Sequence, residues 1–186
     1  LNIREAVTTA ANHKNPFIRE LFLRYQKQPA INNKIGITPS AAEILALQGD
    51  VKRGRDMFRR ADLLCLNCHQ AQGQGREFGP ALAGLGRKYN REHVLDQILR
   101  PSKTIHPDYV LQEVLLKNSK SLTGFIRNRT GKEILLRDPT LKEHRIPFKR
   151  IKSIRPSPLS AMPLGITQNL TTQEAADLVD YLRSLK

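Results

Sequence analysis

The chain has 186 residues, of which 39% are hydrophobic, and this is enough for one sizeable domain or two small ones. No apolar run approaches the roughly 18–20 residues of a membrane-spanning helix, and five charged side chains within residues 1–20 argue against a signal peptide there. The formal net charge of +14 lies mostly in residues 51–160, which predicts an acidic partner, an anionic surface or nucleic acid.

The first hundred residues are predicted to be helices joined by loops. Apolar spacing indicates helices within residues 1–30, a linker over residues 27–40 and a short helix over residues 41–47. A further helix over residues 50–60 precedes the only two cysteines of the chain, and residues 70–88 form a glycine-rich loop.

The pattern changes from helical to extended after residue 105. Residues 91–99 still have helical spacing, and Arg100-Pro101 ends that helix. Beyond it, β-prone stretches and turn candidates alternate, at residues 109–116, 118–120, 121–129, 130–132, 133–137 and 144–154. A last helix begins at the capping pattern of residues 171–174. We therefore predict a mainly α fold with a small antiparallel β insertion at about residues 105–155.

The two cysteines belong to the motif Cys65-Leu66-Asn67-Cys68-His69. On a helical turn, Cys65 is three residues before Cys68 and four before His69, so one turn presents both sulfurs and the imidazole to one ligand. Cys-x-x-Cys-His is the signature of c-type haem attachment. The alternatives are a redox dithiol, which lacks its βαβ context here, a zinc site, which lacks a second pair of ligands, and coincidence. The motif thus predicts one covalent haem c, with His69 as an iron ligand.

A second axial ligand must come from elsewhere in the chain. The candidates are Met57, Met162, His13, His93, His106 and His144. Met162 lies in a loop rich in proline and glycine, and such a loop can bring a thioether to the open face of the iron. We therefore predict His69 and Met162 as the metal ligands. This pair raises the reduction potential and fills both axial positions, which argues against oxygen or peroxide chemistry at the iron.

Several blocks of the sequence resemble class I cytochrome c. They are Gly49-Asp50, Arg53-Gly54, Met57-Phe58, Cys65-x-x-Cys68-His69, Gly79-Pro80-x-Leu82, Met162-Pro163 and Leu178-x-x-Tyr181-Leu182. The resemblance implies that the helix with Gly54 and Phe58 packs across the helix with Tyr181. It also implies that the carbonyl of Pro80 accepts a hydrogen bond from His69, which makes Pro80 a haem-binding residue.

Met162 follows His69 by 93 residues, more than a compact class I domain needs, and the β insertion accounts for the difference. This arrangement resembles the haem-binding domain of the planctomycete and verrucomicrobial type. The shared blocks include Gly73-x-Gly75, Gly79-Pro80-Ala81-Leu82, Ile98-Leu99-x-Pro101-Ser102, Leu122-x-Gly124 and residues 156–163. The resemblance implies a cytochrome c domain over residues 43–186, preceded by a helical extension and linker over residues 1–42.

The predicted function is electron transfer, so the chain is expected to be a carrier and not an enzyme. A basic surface would dock an acidic redox protein or the subunits of a redox complex. The candidates flank the motif and are Lys52, Arg53, Arg55, Arg59, Arg60, Arg76, Arg87 and Lys88. The alternative is a peroxidase- or oxidase-like haem enzyme with a labile distal ligand. Nucleic acid is the less favoured partner, because stacking aromatics are few and no recognition motif is present.

The resemblance also implies a location. Thioether formation in bacteria takes place outside the cytoplasmic membrane, so the chain is expected to be periplasmic or otherwise extracytoplasmic. The start at Leu1 is interpreted as a processed protein or a domain cut from a longer chain.

Overall fold

The computed structural model describes Thr9, residues 34–36 and residues 40–186. Lys34–Lys186 form one unit of the chain. The predicted N-terminal helices and most of the predicted linker lie outside the described residues, apart from Thr9, which is helical. The predicted domain boundary at residues 42 and 43 stays a prediction.

Helices and strands alternate along residues 40–186. The helices of this described part are α1 Ala41–Ala46, α2 Val51–Arg59, α3 Cys65–Cys68, α4 Leu85–Lys88, α5 Arg91–Leu99 and α6 Thr172–Ser184. Its strands are β1 Gln70–Ala71, β2 Gln74–Gly75, β3 Gln112–Leu116, β4 Ser121–Arg129, β5 Glu133–Arg137, β6 Glu143–Pro147 and β7 Ile151–Pro156. Short 3-10 turns lie at Ala61–Leu63, Pro107–Tyr109 and Phe148–Arg150. Among the described helices, none has the length and apolar character needed to cross a membrane.

Helix α6 is the central element of the helical region, which comprises α1 to α6. It packs most closely against α2, where a Cβ atom on Gly54 would overlap the carbonyl oxygen of Asp177. Only glycine permits this approach of the two backbones. Next to the crossing, the rings of Phe58 and Tyr181 pack with centroids 5.5 Å apart. The crossing of α2 and α6 that the class I resemblance implied is therefore present.

Asp177 of α6 binds the N-terminus of α2. Its carboxylate, 2% exposed, accepts hydrogen bonds from the backbone N–H of Asp50 at 2.7 Å and from two nitrogens of Arg53 at 2.6 and 2.9 Å. Gln173 donates a further bond at 2.9 Å. Burial raises the pKa of Asp177, but the bonds from Arg53, the Asp50 N–H and Gln173 outweigh burial and leave the pKa below its ordinary value.

Asp180, one turn further along α6, holds the segment between α1 and α2 in a similar way. It accepts a hydrogen bond from the N–H of Gly49 at 2.8 Å and forms an ion pair with Arg91 at 2.8 Å. Two other nitrogens of Arg91 donate to the carbonyls of Leu45 and Leu47 at the end of α1. The last helix of the chain thus supplies the carboxylates that position helices more than a hundred residues earlier.

Strands β3 to β7 form a five-stranded antiparallel sheet in the order β6-β5-β4-β3-β7, which with its turns is the sheet region. Consecutive strands pair as hairpins, and β7 returns through a 3-10 turn to pair with β3. Register shifts within β3 and β4 bend the sheet. One face of the sheet buries an apolar cluster separate from the helical core, formed by Val114, Leu116, Ile134, Leu136 and Ile146.

The sheet region meets the loop after the cysteine motif through an aromatic contact. Phe125 of β4 packs on Phe78 of that loop with ring centroids 4.6 Å apart, and on Tyr109 at 5.6 Å. Both phenylalanines are buried. At the edge of this contact, the guanidinium of Arg76 donates to the carbonyl of Thr140 at 2.9 Å, in the turn between β5 and β6.

The prediction of a mainly α cytochrome c fold is wrong. The described residues form a mixed fold with a five-stranded antiparallel sheet, and α6, with 13 residues, is the one described helix longer than nine. Part of the reason is local. Glycine and proline are frequent between residues 73 and 86 and keep the helices there short, whereas the extended segments are β-prone, lie between good turn residues and pair into a sheet with its own core.

Candidate functional site

A tight turn brings Cys65, Cys68 and His69 together. The 3-10 turn Ala61–Leu63 leads into Leu64, whose φ of 57° lies in the left-handed region, and α3 begins at the next residue. The N–H of His69 donates to the carbonyl of Cys65 at 2.8 Å, which holds these residues one turn apart. Both thiols are free and half-buried.

The loop that follows fixes the imidazole of His69. Its Nδ1 lies 2.8 Å from the carbonyl oxygen of Pro80, so the hydrogen bond that the resemblance implied is present. Because a carbonyl oxygen only accepts, Nδ1 carries the proton and Nε2 keeps its lone pair for a metal. Burial lowers the pKa of His69 more than the Pro80 bond raises it, so the ring is neutral near pH 7. The role of Pro80 in haem binding stays a prediction.

The motif loop, residues 70–80, closes over this turn. The N–H groups of Phe78 and Gly79 donate to the carbonyl of Cys68 at 3.1 and 2.7 Å. A Cβ atom on Gly79 would lie 2.9 Å from Cε1 of His69, so glycine is required for the loop to pass this close to the ring. The backbone therefore determines both the position and the orientation of the imidazole.

The loop with Met162 is held by two serines. The N–H of Met162 donates to Oγ of Ser160 at 3.1 Å, and the N–H of Ser160 donates to Oγ of Ser102 at 3.0 Å. Met162 is half-buried and packs against the apolar cluster of the helical region, as Cys65 does. Its role as an iron ligand stays a prediction.

Two of the other ligand candidates already have partners within the helical region. The sulfur of Met57 accepts a hydrogen bond from Arg60 at 3.4 Å. The ring of His93 stacks on Tyr89, with centroids 4.2 Å apart and the rings nearly parallel. Each would have to give up its contact to bind a metal.

The remaining described histidines, His106 and His144, also have partners. Nε2 of His144 lies 2.7 Å from the carboxylate of Asp138 in the sheet region. This bond is the largest of the contacts that hold the pKa of Asp138 well below its ordinary value. His106 caps a 3-10 turn, where its Nδ1 accepts from the N–H of Asp108. His13 lies outside the described residues.

The thiols do not have the properties of a redox-active pair. Burial raises the pKa of Cys65 to about 11 and also raises the pKa of Cys68, whereas an active dithiol needs a lowered pKa. The described residues also contain no group of three or more His, Cys, Asp or Glu side chains placed to hold a metal ion. The dithiol and zinc interpretations therefore gain no support.

The residues at this turn fit a haem c. The donor set has two free thiols and a neutral imidazole with Nε2 unbonded, and Gly79 leaves room against the ring that any larger residue would fill. Exposed large apolar side chains flank both predicted haem-binding segments, namely Leu64, Leu159 and Leu164. Apolar surface of this kind is what a porphyrin face contacts in a protein.

The basic residues that flank the motif divide into two groups. Arg53 and Arg60 are bound to carboxylates of α6, and Arg76 is bound to the sheet region. Arg55 is half-buried. The exposed cations left are Lys52, Arg59, Arg87 and Lys88. Sequence reasoning did not separate these groups, because a bound and an unbound arginine look alike in a sequence.

Sequence reasoning also missed the aromatic contact behind the motif loop. Phe78 and Phe125 are 47 residues apart, and no local pattern connects them. The available signal was composition, since Phe78 is an apolar residue in a glycine-rich polar loop.

No family model matches the chain. Among curated proteins, the chain is similar to a protein named cytochrome c-553-like from Synechocystis sp., with 31% identity over 70 residues. These residues make up 38% of this chain and 63% of the relative, so the chain spans less than two thirds of the length of that relative. The similarity supports a cytochrome as the class of protein.

Proposed function

We propose that this chain is a monohaem c-type cytochrome that transfers electrons. The observation that carries the proposal is the turn at the motif, where two free thiols lie beside an imidazole whose Nδ1 is bonded to Pro80 and whose Nε2 is available. The similarity to the cytochrome c-553-like protein supports the same function.

Each residue of the turn has a distinct role in the proposal. A haem c, when bound, supplies one-electron exchange at its iron. Cys65 and Cys68 hold the porphyrin through thioether bonds, and Nε2 of His69 binds the iron. The carbonyl of Pro80 keeps the ring oriented and increases the basicity of Nε2.

Met162 is proposed as the second axial ligand, in a six-coordinate carrier. Its support is that Met57, His93 and His144 have bonded or stacked partners, whereas Met162 lies in an anchored loop against the same apolar cluster as Cys65. A thioether and an imidazole together favour the reduced state more than two imidazoles do, because sulfur is the weaker donor to ferric iron.

An acidic redox partner is proposed to dock on the exposed cations of the helical region, which are Lys52, Arg59, Arg87 and Lys88. Such steering predicts an association rate that falls as salt screens the charges. The chain is proposed to work outside the cytoplasm, where thioether bonds to haem are made.

The test is the ferric spectrum of the protein produced in a host that matures c-type cytochromes. We expect a low-spin six-coordinate spectrum with the near-infrared band of a Met ligand. Met162→Ala should convert it to a high-spin spectrum. Met57→Ala is the matched control, because it removes the other methionine and should leave the spectrum unchanged.

Two outcomes would contradict the proposal in different ways. A high-spin five-coordinate spectrum of the unmodified protein would favour the peroxidase- or oxidase-like alternative. If Met162→Ala still carries covalent haem and its spectrum is unchanged, Met162 is not the second ligand. The haem site at the motif would then stand, with another residue as the second ligand.

A further inference from the structure

The pairing of the strands gives the sheet region two ends. Gln112 at the start of β3 pairs with Pro156 at the end of β7, and Arg137 at the end of β5 pairs with Phe125. These residues form the first end, which meets the motif loop. The second end is the opposite end of β3 and β5, which have five residues each. At roughly 3.3 Å per residue, the two ends of the sheet region are about 13 Å apart.

Six cations lie at the second end, at three turns. They are Lys117 and Lys120 of the β3–β4 turn, Arg129 at the end of β4 and Lys132 of the turn that follows it, and Lys149 and Arg150 of the 3-10 turn before β7. The N–H of Lys117 donates to the carbonyl of Arg150 at 2.9 Å, and the N–H of Phe148 donates to the carbonyl of Lys132 at 3.0 Å. The 3-10 turn therefore holds the other two turns side by side, and the six side chains form one surface, the cationic end.

The charge of the cationic end is not neutralised by the residues that the structure describes. All six side chains are exposed, and the described carboxylate at this end, Glu133, is bound by Arg145 at 3.3 Å. The guanidinium of Arg129 lies 5.3 Å above the ring of Phe148 and so remains at the surface. Folding of this end does not require the cations, because its buried contacts are apolar.

We propose that the cationic end docks on an anionic lipid bilayer and tethers the protein there. Six like charges on adjacent turns repel one another, and a plane of phosphates relieves that repulsion. The motif turn lies at the other end of the sheet region, so a protein held in this way keeps its haem motif accessible to a partner. The tether goes beyond the proposed electron transfer and does not require haem.

The composition of the surface favours a bilayer over the other anionic partners. A stable protein interface is built around apolar or aromatic anchors, but the exposed large apolar side chains of the described residues all lie outside β3 to β7. Single-stranded nucleic acid binds on exposed aromatic platforms, and Phe148 is half-buried beneath Arg129. Long cations at the tips of three turns suffice for a charged plane.

The experiment is co-sedimentation of the full haem-loaded chain with vesicles of phosphatidylglycerol and phosphatidylcholine in equal parts. Two matched double variants each remove two cations of the sheet region. Lys132→Gln/Lys149→Gln alters the cationic end, whereas Lys142→Gln/Arg155→Gln alters exposed positions outside it. Each cation should increase partitioning to the vesicles roughly five-fold. The first variant should therefore partition about 25-fold less than wild type, and the second should partition nearly as well as wild type.

The controls separate the tether from a general effect of charge and from the haem site. Binding should be absent with pure phosphatidylcholine and should disappear at high salt, while the ferric spectrum of both variants stays unchanged. Absence of binding to the anionic vesicles at low salt would overturn the proposal. So would equal losses in the two variants, or tighter binding to duplex DNA than to vesicles at the same phosphate concentration.

Discussion

The helical region and the sheet region are built in opposite ways. In the helical region, the apolar core is complete only when α6 packs against the earlier helices. The carboxylates of α6 bind arginines far away in sequence, as Asp177 binds Arg53. In the sheet region, each strand pairs with its neighbour in sequence until β7 closes onto β3. Its ion pairs join adjacent strands, as between Arg137 and Glu143.

This difference indicates that the sheet region can fold without the helical region being complete. The sheet region has its own apolar cluster and mostly local pairing, so it has the contacts needed to fold early. The Cys-x-x-Cys-His motif lies in the helical region, whose core is completed by α6. The two regions join at the contact of Phe78 and Phe125, directly behind the loop that orients His69.

The largest effect is expected from Phe125→Ala, which removes the aromatic contact between the helical region and the sheet region. Removal of a buried ring should cost about 3–5 kcal/mol of unfolding free energy. Urea denaturation followed by circular dichroism and by the haem spectrum would measure the loss in the whole fold and at the motif separately. Phe148→Ala removes a half-buried ring at the other end of the sheet region and should cost less. An equal loss of unfolding free energy in the two variants would show that the contact of Phe78 and Phe125 contributes no more than an ordinary half-buried ring.

Gly54→Ala should destabilise the helical region next most strongly. The new methyl group would overlap the Asp177 carbonyl, so α2 and α6 must move apart, at a cost of about 3 kcal/mol. The control is Gly131→Ala in the sheet region, where a Cβ atom meets no neighbour within 4 Å. Thermal unfolding of both variants would test this. A normal melting temperature for Gly54→Ala would contradict the close crossing.

Asp177→Asn should remove about 2 kcal/mol at pH 7, because the side chain loses its charge and the oxygen that accepts from Nε of Arg53 becomes an amide nitrogen, which cannot accept. The folded pKa of Asp177 is below its unfolded value, so this stabilisation is present above an unfolded pKa of about 4 and disappears as the pH falls through the folded value. The gap in stability between wild type and variant should therefore narrow on acidification. Asp56→Asn removes an exposed charge of α2 and should be as stable as wild type both at pH 7 and at acidic pH.

Arg76→Ala should have the smallest effect. It removes one exposed hydrogen bond between the motif loop and the sheet region, and a bond of this kind contributes about 1 kcal/mol or less. Chemical denaturation would measure the change, and the ferric spectrum should stay as in wild type. A large spectral change would mean that the arginine, and not the aromatic pair, holds the motif loop in place.

The sequence was sufficient for features that depend on neighbouring residues. Helix α5 spans the predicted residues 91–99, Thr171 and Glu174 form the predicted capping box, and the turns around Asn118 and Gly131 connect paired strands. The motif was readable for the same reason, since Cys65 and His69 lie on one turn.

Features that depend on distant residues were not predictable from one sequence. The mainly α prediction failed because strand propensity does not show that β7 returns to β3 and completes a five-stranded sheet. The role of Asp177 was missed as well, since a polar residue on the last helix gives no sign that it binds the backbone of residue 50.

The most direct test of the central claim is the mass of the denatured protein after maturation in a host that attaches haem c. The proposal predicts the polypeptide mass plus one haem, retained by the control Asn67→Ala and lost in the double variant Cys65→Ala/Cys68→Ala. A bare polypeptide mass for the unmodified protein, or haem that survives in the double variant, would contradict it.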